Sequence, residues 1–343
     1  MRHVNIPVFI PHLGCPHDCV FCNQRVISGQ RDFDPDSLEG IIEKALATVS
    51  QGDDVEVAFF GGSFTGIDRE LMISLLSRTE PYIKSGRVSR LRCSTRPDYI
   101  SEEILDILAR YSMETVELGM QSLSDDVLSA SFRGHTAGDT LHAAELILKR
   151  GMRLGGQMMI GLPLSTPKCE LETARSICDM GCSEARVYPT IVFEKTALAA
   201  MMRRGEYTPL TVGDAAKRCA DVLRVFDEHG VHVLRVGLCD GEGLHSAECV
   251  GGPVHPAMGE LSRSVIFREN IEYELEKSDI HGGSVTVLVP RGAVSAAVGN
   301  RGENKRFFMS EYDIKHIKFR EDESLHGYEA KVTREVICAA DFT

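Results

Sequence analysis

The stretch Gly14-Cys15-Pro16-His17-Asp18-Cys19-Val20-Phe21-Cys22 decides how the rest of this sequence is interpreted. Three cysteines lie within eight positions in the spacing C-x3-C-x2-C, directly after the apolar run at residues 6–10. Thiolates are soft ligands that suit iron–sulfur clusters, zinc or copper. A cluster of four irons usually takes four cysteines, so three would leave one iron open to a small-molecule ligand. The spacing therefore predicts a metal or cluster site at Cys15, Cys19 and Cys22.

Other interpretations of the three cysteines remain open at this point. A zinc site with His17 as fourth ligand is compatible with the ligand types, and it would describe a non-catalytic, zinc-stabilised RNA-binding protein. A disulfide framework is less favoured, because nothing in the sequence marks the chain as secreted. Of the remaining cysteines, Cys169, Cys178 and Cys182 fall in or beside a helical stretch with mixed spacing. We expect inert thiols there rather than ligands of a second cluster.

Length, composition and charge limit the class of protein. The chain has 343 residues, enough for one large domain and a small one, and its 43% apolar content is ordinary for a globular protein. A formal net charge of −12 argues against a nucleic-acid binder that is basic overall, but not against a local basic patch. The first apolar run is too short for a secretory signal, and no stretch approaches the ~20 apolar residues of a membrane span. We therefore expect a cytoplasmic protein that does not contact a membrane.

Strand and helix patterns alternate along the first half of the chain. The predicted strands are residues 4–10, 55–60, 89–94, 115–118, 153–160 and 184–188. Each strand is followed by a helical pattern, which implies a parallel sheet with right-handed crossovers. Six such units predict an α/β fold, a partial (β/α)6 barrel that is an incomplete version of the eight-unit TIM barrel. Chemistry in barrels of this kind lies at the carboxyl ends of the strands.

The residues around the cysteines resemble a known enzyme superfamily. C-x3-C-x2-C with an aromatic residue, Phe21, before the last cysteine is similar to the signature of the radical S-adenosylmethionine (radical SAM) superfamily. The run PVFIPHLGCPHDCVFCNQ resembles the branch that holds the Elongator catalytic subunit and the oxygen-independent coproporphyrinogen oxidases. The later run GGPVHPAMGEL, residues 251–261, favours the Elongator side of that branch.

This resemblance implies two cofactors and a type of reaction. A 4Fe–4S cluster would be held by Cys15, Cys19 and Cys22, and S-adenosylmethionine would chelate the open iron. An electron from an external donor of the flavodoxin or ferredoxin type would release methionine and a 5′-deoxyadenosyl radical, which takes hydrogen from a substrate. The same resemblance implies an RNA substrate, with a tRNA uridine as first candidate. Two alternatives are a porphyrin- or haem-related protein and a regulatory protein that keeps the cluster without cleaving the cofactor.

The resemblance also assigns cofactor contacts to the ends of the predicted strands. The assigned residues are Gly61, Gly62, Ser94, Gln121, Arg133 and Gln157. The paired glycines would present backbone groups to the amine of S-adenosylmethionine. Ser94 stands where relatives often have a ribose-binding Glu, and Gln157 would also lie near the ribose. Gln121 and Arg133, twelve positions apart as in the coproporphyrinogen oxidases, would bind near the methionine carboxylate.

The strand–helix alternation of the barrel does not continue beyond about residue 282, where a strand–helix–helix–strand order is predicted instead. The loop Gly299-Asn300-Arg301-Gly302 between the helices resembles the G-x-x-G loop of KH modules, which clamps single-stranded nucleic-acid backbone. Gly299, Arg301, Gly302 and Lys305 are the predicted RNA contacts. Basic residues are frequent in this part of the chain: Arg291, Arg301, Lys305, Arg306, Lys315, Lys318 and Arg320. The competing interpretation is a short docking domain without RNA.

Three segments are therefore predicted. Residues 1–259 would form the radical SAM partial barrel, 260–281 a connecting helix, and 282–343 a small α+β domain of KH-like type. The chain ends before the acetyltransferase domain that follows the barrel in the Elongator subunit, so we do not expect carboxymethyl chemistry from acetyl groups.

Overall fold

The structure is a computed structural model that describes residues 2–10, 13–15, 19–23, 33–50, 52–238 and 248–334. Within those ranges, seven parallel strands form one large sheet. In spatial order they are β1 (His3–Ile10), β2 (Asp54–Gly61), β3 (Arg90–Thr95), β4 (Met113–Gln121), β5 (Arg153–Ile160), β6 (Glu184–Pro189) and β8 (His232–Val236). β7 (Val192–Phe193) and β9 (Cys249–Gly251) form a separate short antiparallel pair.

Helices follow most strands and pack against the large sheet. They are α1 (Leu38–Leu46), α2 (Arg69–Lys84), α3 (Glu102–Arg110), α4 (Asp125–Ala130), α5 (Ala137–Lys149), α6 (Pro167–Asp179), α7 (Ala197–Arg203) and α8 (Val212–Glu228). Side chains of Asp68, Ser101 and Thr136 accept hydrogen bonds from first-turn amides of α2, α3 and α5, which fixes where these helices begin. In the described parts of the chain, no helix is both long enough and apolar enough to cross a membrane.

The large sheet is the predicted partial barrel. β2 and β3 are each buried at five consecutive positions, as expected for parallel strands that are covered on both faces. The predicted fold class is confirmed, with one correction: the sheet has a seventh strand, β8, where six were predicted. β8 is only partly buried and carries exposed His232 and Arg235. Its sequence therefore lacks the apolar run that identifies the other strands.

A small α+β unit follows helix α9 (Met258–Lys277). Its elements are β10 (Ser284–Val289), α10 (Val294–Val298), α11 (Glu303–Glu311), β11 (His316–Glu321) and β12 (Lys331–Arg334). β10 is the central strand, parallel to β11 and antiparallel to β12. The predicted strand–helix–helix–strand order is present, and the G-x-x-G sequence lies between α10 and α11.

Helix α9 belongs to the cores of both units. Phe267 and Ile271 are buried in the core of the small unit. Ile266 packs with Leu223 of α8. The predicted connecting helix is therefore a packed element that ends at Lys277, and it holds the small unit against the barrel. The two boundaries between the three predicted segments stay predictions.

Candidate active site at the carboxyl ends of the strands

The cysteine loop begins where β1 ends at Ile10, at the carboxyl edge of the large sheet. Cys19 is buried, Cys22 is partly buried and Cys15 is exposed. The Cys15 sulfur lies 3.7 Å from the hydroxyl oxygen of Ser63, which follows β2. All three predicted ligands therefore belong to a loop at the barrel edge where the chemistry was expected.

Val20 anchors the cysteine loop to the rest of the barrel. Its amide donates to the Ser131 carbonyl at 3.2 Å, and its own carbonyl accepts from the Leu198 amide at 2.8 Å. Its side chain is buried in a small apolar cluster with Leu198 and Tyr207. The apolar residue between the second and third cysteines thus fixes the loop by packing and by backbone hydrogen bonds.

The glycine motif at the end of β2 packs directly on the cysteine loop. A Cβ on Gly62 would lie 2.2 Å from the Leu13 carbonyl oxygen, and one on Gly61 would lie 2.8 Å from that of Ile10. Gly61 also has a φ of +116°, a conformation that L side chains rarely adopt. The Gly62 amide donates to the Ile10 carbonyl at 3.0 Å. Because an amine needs acceptors, the backbone carbonyls are the groups of this motif that suit the predicted ligand contact.

Arg133 and Gln121, predicted as a pair, lie together beside Gly119. Arg133 donates from Nη1 to the Cys19 sulfur at 3.3 Å and from Nη2 to the Gly119 carbonyl at 2.6 Å. A Cβ on Gly119 would meet Gln121 Nε2 at 3.1 Å and Arg133 Nη2 at 3.3 Å. Gln121 Oε1 is buried, and no described residue gives it a hydrogen bond. Since buried polar atoms are rarely left unpaired, this oxygen marks a position for a ligand donor.

Ser94 and Gln157 are also brought together, but they contact each other. Gln157 Nε2 donates to Ser94 Oγ at 3.1 Å and to Glu117 Oε2 at 2.8 Å. These two bonds engage the amide nitrogen of Gln157. A ligand contact of Gln157 would therefore use its carbonyl oxygen, and that contact stays a prediction.

A buried network of charged side chains fills the barrel interior below this pair. Glu117 accepts from Arg92 and Arg186, each at 2.7 Å, and Arg92 also pairs with Glu56 and Glu184 at 2.7 Å. Burial alone would raise the pKa of Glu117, but the two arginines hold it below its ordinary value. Glu184 and Arg186 are both engaged in these ion pairs. Sequence reasoning missed the network, although single charged residues inside successive apolar strands are a usable signal.

A second group missed from the sequence supports the backbone of Arg133. Arg96 donates to the Arg133 carbonyl and makes a two-pronged pair with Asp98 at 2.9 and 3.0 Å. His135 is buried beside them, 3.3 Å from the Met120 carbonyl. Burial and the charges of Arg133 and Arg96 lower the pKa of His135 to about 4. The imidazole of His135 is therefore neutral at physiological pH. Arg96 fixes the backbone of this segment at Arg133, and His135 contacts β4 at Met120.

The donor chemistry at this edge fits the predicted cofactors. Three thiols that form no disulfide lie on one loop, and one of them accepts a hydrogen bond from the Arg133 guanidinium. Gln121, whose buried Oε1 has no hydrogen-bond partner in the described part of the chain, lies beside the same guanidinium. Among the described residues, no group of three or more His, Cys, Asp or Glu side chains is gathered as a metal site. Ligation by the three cysteines therefore stays a prediction, and His17, the alternative zinc ligand, lies outside the described residues.

Three cysteines outside the loop, Cys169, Cys178 and Cys182, were predicted to be inert thiols, and their surroundings agree with that prediction. Cys169 takes part in the capping box at the start of α6, where its sulfur accepts from the Thr166 amide at 3.1 Å. Burial raises the pKa of Cys178 to about 11 and that of Cys182 to about 12. Such thiols are poor ligands, as expected for inert residues.

The loop of the small unit has an unusual backbone. Gly299, Arg301 and Gly302 have φ values of +83°, +51° and +76°. A Cβ on Gly299 would lie 2.7 Å from the Asn304 amide nitrogen, so this position requires glycine. The side chains of Arg301 and Lys305 are exposed. The four predicted RNA contacts therefore share one loop and the helix start that follows it, with Gly299 buried and the two basic side chains exposed. RNA binding itself stays a prediction.

Fold and site together define a partial barrel with a cysteine loop at the carboxyl end of its first strand. Residues 9–177 match the sequence profile of the Radical SAM superfamily, and residues 182–266 match that of the Radical_SAM C-terminal domain. The chain belongs to the radical SAM superfamily of enzymes. Enzymes of this superfamily use a 4Fe–4S cluster and S-adenosylmethionine, so the predicted cofactors are confirmed at the level of the family.

The chain is similar to proteins from archaea and bacteria. An uncharacterized protein of Methanocaldococcus jannaschii is 31% identical over 64% of this chain and 70% of its own length. A tRNA uridine(34) acetyltransferase of Methanocaldococcus infernus is 26% identical, and the match spans 57% of this chain and 44% of the relative. The heme chaperone HemW of Bacillus subtilis is 25% identical over 68% of this chain and 62% of its length. The chain thus spans less than half of the acetyltransferase.

Among solved structures, the archaeal Methanocaldococcus infernus Elp3 with an N-terminal deletion shares the fold. The TM-score is 0.61 at 22% identity, over 81% of this chain and 63% of that chain. The predicted resemblance to the Elongator branch of the superfamily is confirmed by these relatives.

Proposed function

We propose that this protein holds a 4Fe–4S cluster through Cys15, Cys19 and Cys22, binds S-adenosylmethionine beside it, and acts on RNA, with tRNA as first candidate. The observation that carries the proposal is the meeting of Arg133, Gln121 and Cys19 at the end of β4. It joins a predicted cluster ligand to the residue pair predicted to bind near the methionine carboxylate. When bound, these cofactors supply a 5′-deoxyadenosyl radical that takes hydrogen from the substrate.

The residues of the chain would bind and orient the nucleoside cofactor. The carbonyls of the Gly61-Gly62 turn would accept from the amine, and Gln121 Oε1, which is buried and receives no hydrogen bond from the residues that the structure describes, would accept from a ligand donor. Gln157 turns its carbonyl oxygen to the site because Ser94 and Glu117 hold its nitrogen. The ion network beneath them fixes this arrangement, since each of its members is paired within the barrel.

An RNA substrate is supported by the small unit and by the relatives that modify tRNA. Residues 282–334 contain nine Lys and Arg against seven Asp and Glu, so this part is mildly basic in a chain of net charge −12. Asn304 anchors the G-x-x-G loop: it donates to the Ser264 carbonyl at 2.8 Å and accepts from Arg268 at 3.0 Å. Because both partners lie on α9, the loop is held in a fixed position relative to the barrel.

Two further parts complete the proposal. A one-electron donor of flavodoxin or ferredoxin type would reduce the cluster from outside the chain. The protein would work in a reducing compartment, the cytoplasm, which suits the nine cysteines that are free of disulfides in the described part of the chain.

Cofactor cleavage tests the proposal. Protein reconstituted anaerobically with iron and sulfide is mixed with S-adenosylmethionine and dithionite, and 5′-deoxyadenosine is quantified by chromatography, with bulk tRNA or with haem. We expect product in the absence of substrate and more of it with bulk tRNA. Tight haem binding without a response to tRNA would instead favour a haem-related protein. One zinc and no sulfide would indicate a zinc-stabilised RNA-binding protein, and a cluster without product a regulatory one.

A further inference from the structure

Arg133 contacts a predicted cluster ligand more directly than its predicted role requires. Its side chain is buried, at 7% exposure, and its Nη1 lies 3.3 Å from the Cys19 sulfur. Its Nη2 donates to the Gly119 carbonyl at 2.6 Å, which fixes the plane of the guanidinium. Among the described residues Nε has no partner. The guanidinium is therefore shared between the Cys19 sulfur and the end of β4.

The backbone of this segment is fixed as firmly as the side chain. The Arg133 amide donates to the Leu128 carbonyl at 3.0 Å, and its carbonyl accepts from Arg96. Two residues earlier, Ser131 accepts from the amide of Val20, which lies next to Cys19 in the cysteine loop. The N–H···S contact thus joins the cysteine loop to the segment that carries Arg133, and a backbone hydrogen bond already links these two segments.

We propose that Arg133 is a positioning residue that raises the reduction potential of the cluster through the Cys19 sulfur, whether or not S-adenosylmethionine is bound. Hydrogen bonds to cluster sulfurs, net charge and solvent exposure set the potentials of such clusters. Reduction adds one electron and therefore one negative charge. A buried cation with an N–H directed at a ligand sulfur stabilises the reduced form more than the oxidised form. The electron comes from the external one-electron donor, and no proton or bond change is required.

This inference rests on the proposed function, because it needs the cluster. It differs from the role predicted by resemblance, in which Arg133 binds the methionine carboxylate. That role affects only the state with bound cofactor. An effect on the potential in the absence of S-adenosylmethionine therefore separates the two roles.

The reduction potential of the cluster, measured by potentiometric titration and monitored by electron paramagnetic resonance, tests the inference. Iron and sulfide per chain are counted first for each protein. Wild type, Arg133→Met and Arg133→Lys are compared without S-adenosylmethionine, and Gln121→Met is the control that changes the same site but not the sulfur contact. We expect Arg133→Met to lower the equilibrium constant for one-electron reduction about tenfold, a fall of about 59 mV. Arg133→Lys keeps the charge but cannot span both partners, so its fall should be smaller. Gln121→Met should keep the wild-type value.

A wild-type potential in Arg133→Met that holds full iron and sulfide would overturn the inference and leave the proposed function intact. If Arg133→Met fails to hold the cluster, Arg133→Lys decides, because a potential equal to wild type in that variant would equally overturn it. A fall of the same size in Gln121→Met would also contradict it. Failure of the proposed function is recognised separately, since wild type would then contain no iron and no labile sulfide.

Discussion

Replacing Gly62 by alanine tests whether the glycine turn and the cysteine loop are one packed unit. The added Cβ would lie 2.2 Å from the Leu13 carbonyl oxygen, whereas real Cβ contacts essentially never fall below 3.0 Å. The two backbones must therefore separate, which costs about 1–3 kcal/mol for overpacking. The hydrogen bond from the Gly62 amide to Ile10, 3.0 Å long, would weaken, at about 1 kcal/mol. We expect Gly62→Ala to lose about 2–4 kcal/mol of unfolding free energy.

Urea unfolding of the apo-protein under anaerobic, reducing conditions measures this change by circular dichroism. Gly40→Ala is the matched control, because Gly40 lies in helix α1 and nothing stands within 4 Å of its added Cβ. The same substitution should there stabilise by about 0.5–1 kcal/mol. After reconstitution, Gly62→Ala should bind less iron per chain than Gly40→Ala. A stability equal to wild type together with full iron would refute the claim that the two backbones are locked together.

Three further predictions concern the network, the neutral histidine and the loop of the small unit. Glu117→Ala should cost about 3–5 kcal/mol in urea unfolding, because it removes the carboxylate partner of the largely buried Arg186 and one of the three carboxylates around Arg92. Glu103→Ala, which removes an exposed pair, should cost less than about 1 kcal/mol. Equal costs would contradict the buried role of Glu117. The pKa of His135 is lowered from 6.5 to about 4 in the folded protein. Between these two pH values the unfolded chain binds more protons than the folded one, so the free energy of unfolding falls as the pH drops from 6.5 to about 4. His135→Gln should flatten this dependence, and an unchanged pH profile of the unfolding midpoint would count against a buried neutral imidazole. Gly302→Asp should weaken filter binding of bulk tRNA at least about tenfold, since it would place an anion in the loop that is predicted to bind phosphate. Gly86→Asp is the control and should not weaken binding, because Gly86 has a similar positive φ and lies outside the loop. Neither change should reduce cofactor cleavage without RNA, and wild-type tRNA binding by Gly302→Asp would remove the loop from the proposed RNA site.

The parts of the fold that could be predicted are those that depend on residues close together in the sequence. The cysteine spacing, the glycine turn after a buried strand and the strand–helix alternation need only neighbouring residues, and six of the seven strands followed from them. The seventh, β8, was missed because its polar positions at His232 and Arg235 break the apolar run. Tertiary pairing, rather than local pattern, recruits it to the edge of the sheet.

Local patterns signal charged residues in the barrel strands, but they do not show which residues pair with one another. A charged residue within an apolar strand does not show whether it meets water or a buried partner. Glu117 pairs with Arg92 and Arg186, which are 25 and 69 positions away in sequence. The sequence likewise placed Gln121 and Arg133 near each other, but it held no sign that Arg133 would contact Cys19, 114 positions away.

The central claim is that three thiols of one loop hold a cluster, and the most direct test counts iron and acid-labile sulfide. Anaerobically reconstituted wild type is compared with Cys22→Ala and with Cys178→Ala, which removes a thiol outside the loop. The account predicts iron and sulfide with brown absorbance in wild type and in Cys178→Ala, and loss of all three signals in Cys22→Ala. Full iron and sulfide in Cys22→Ala, or none of either in wild type, would contradict it.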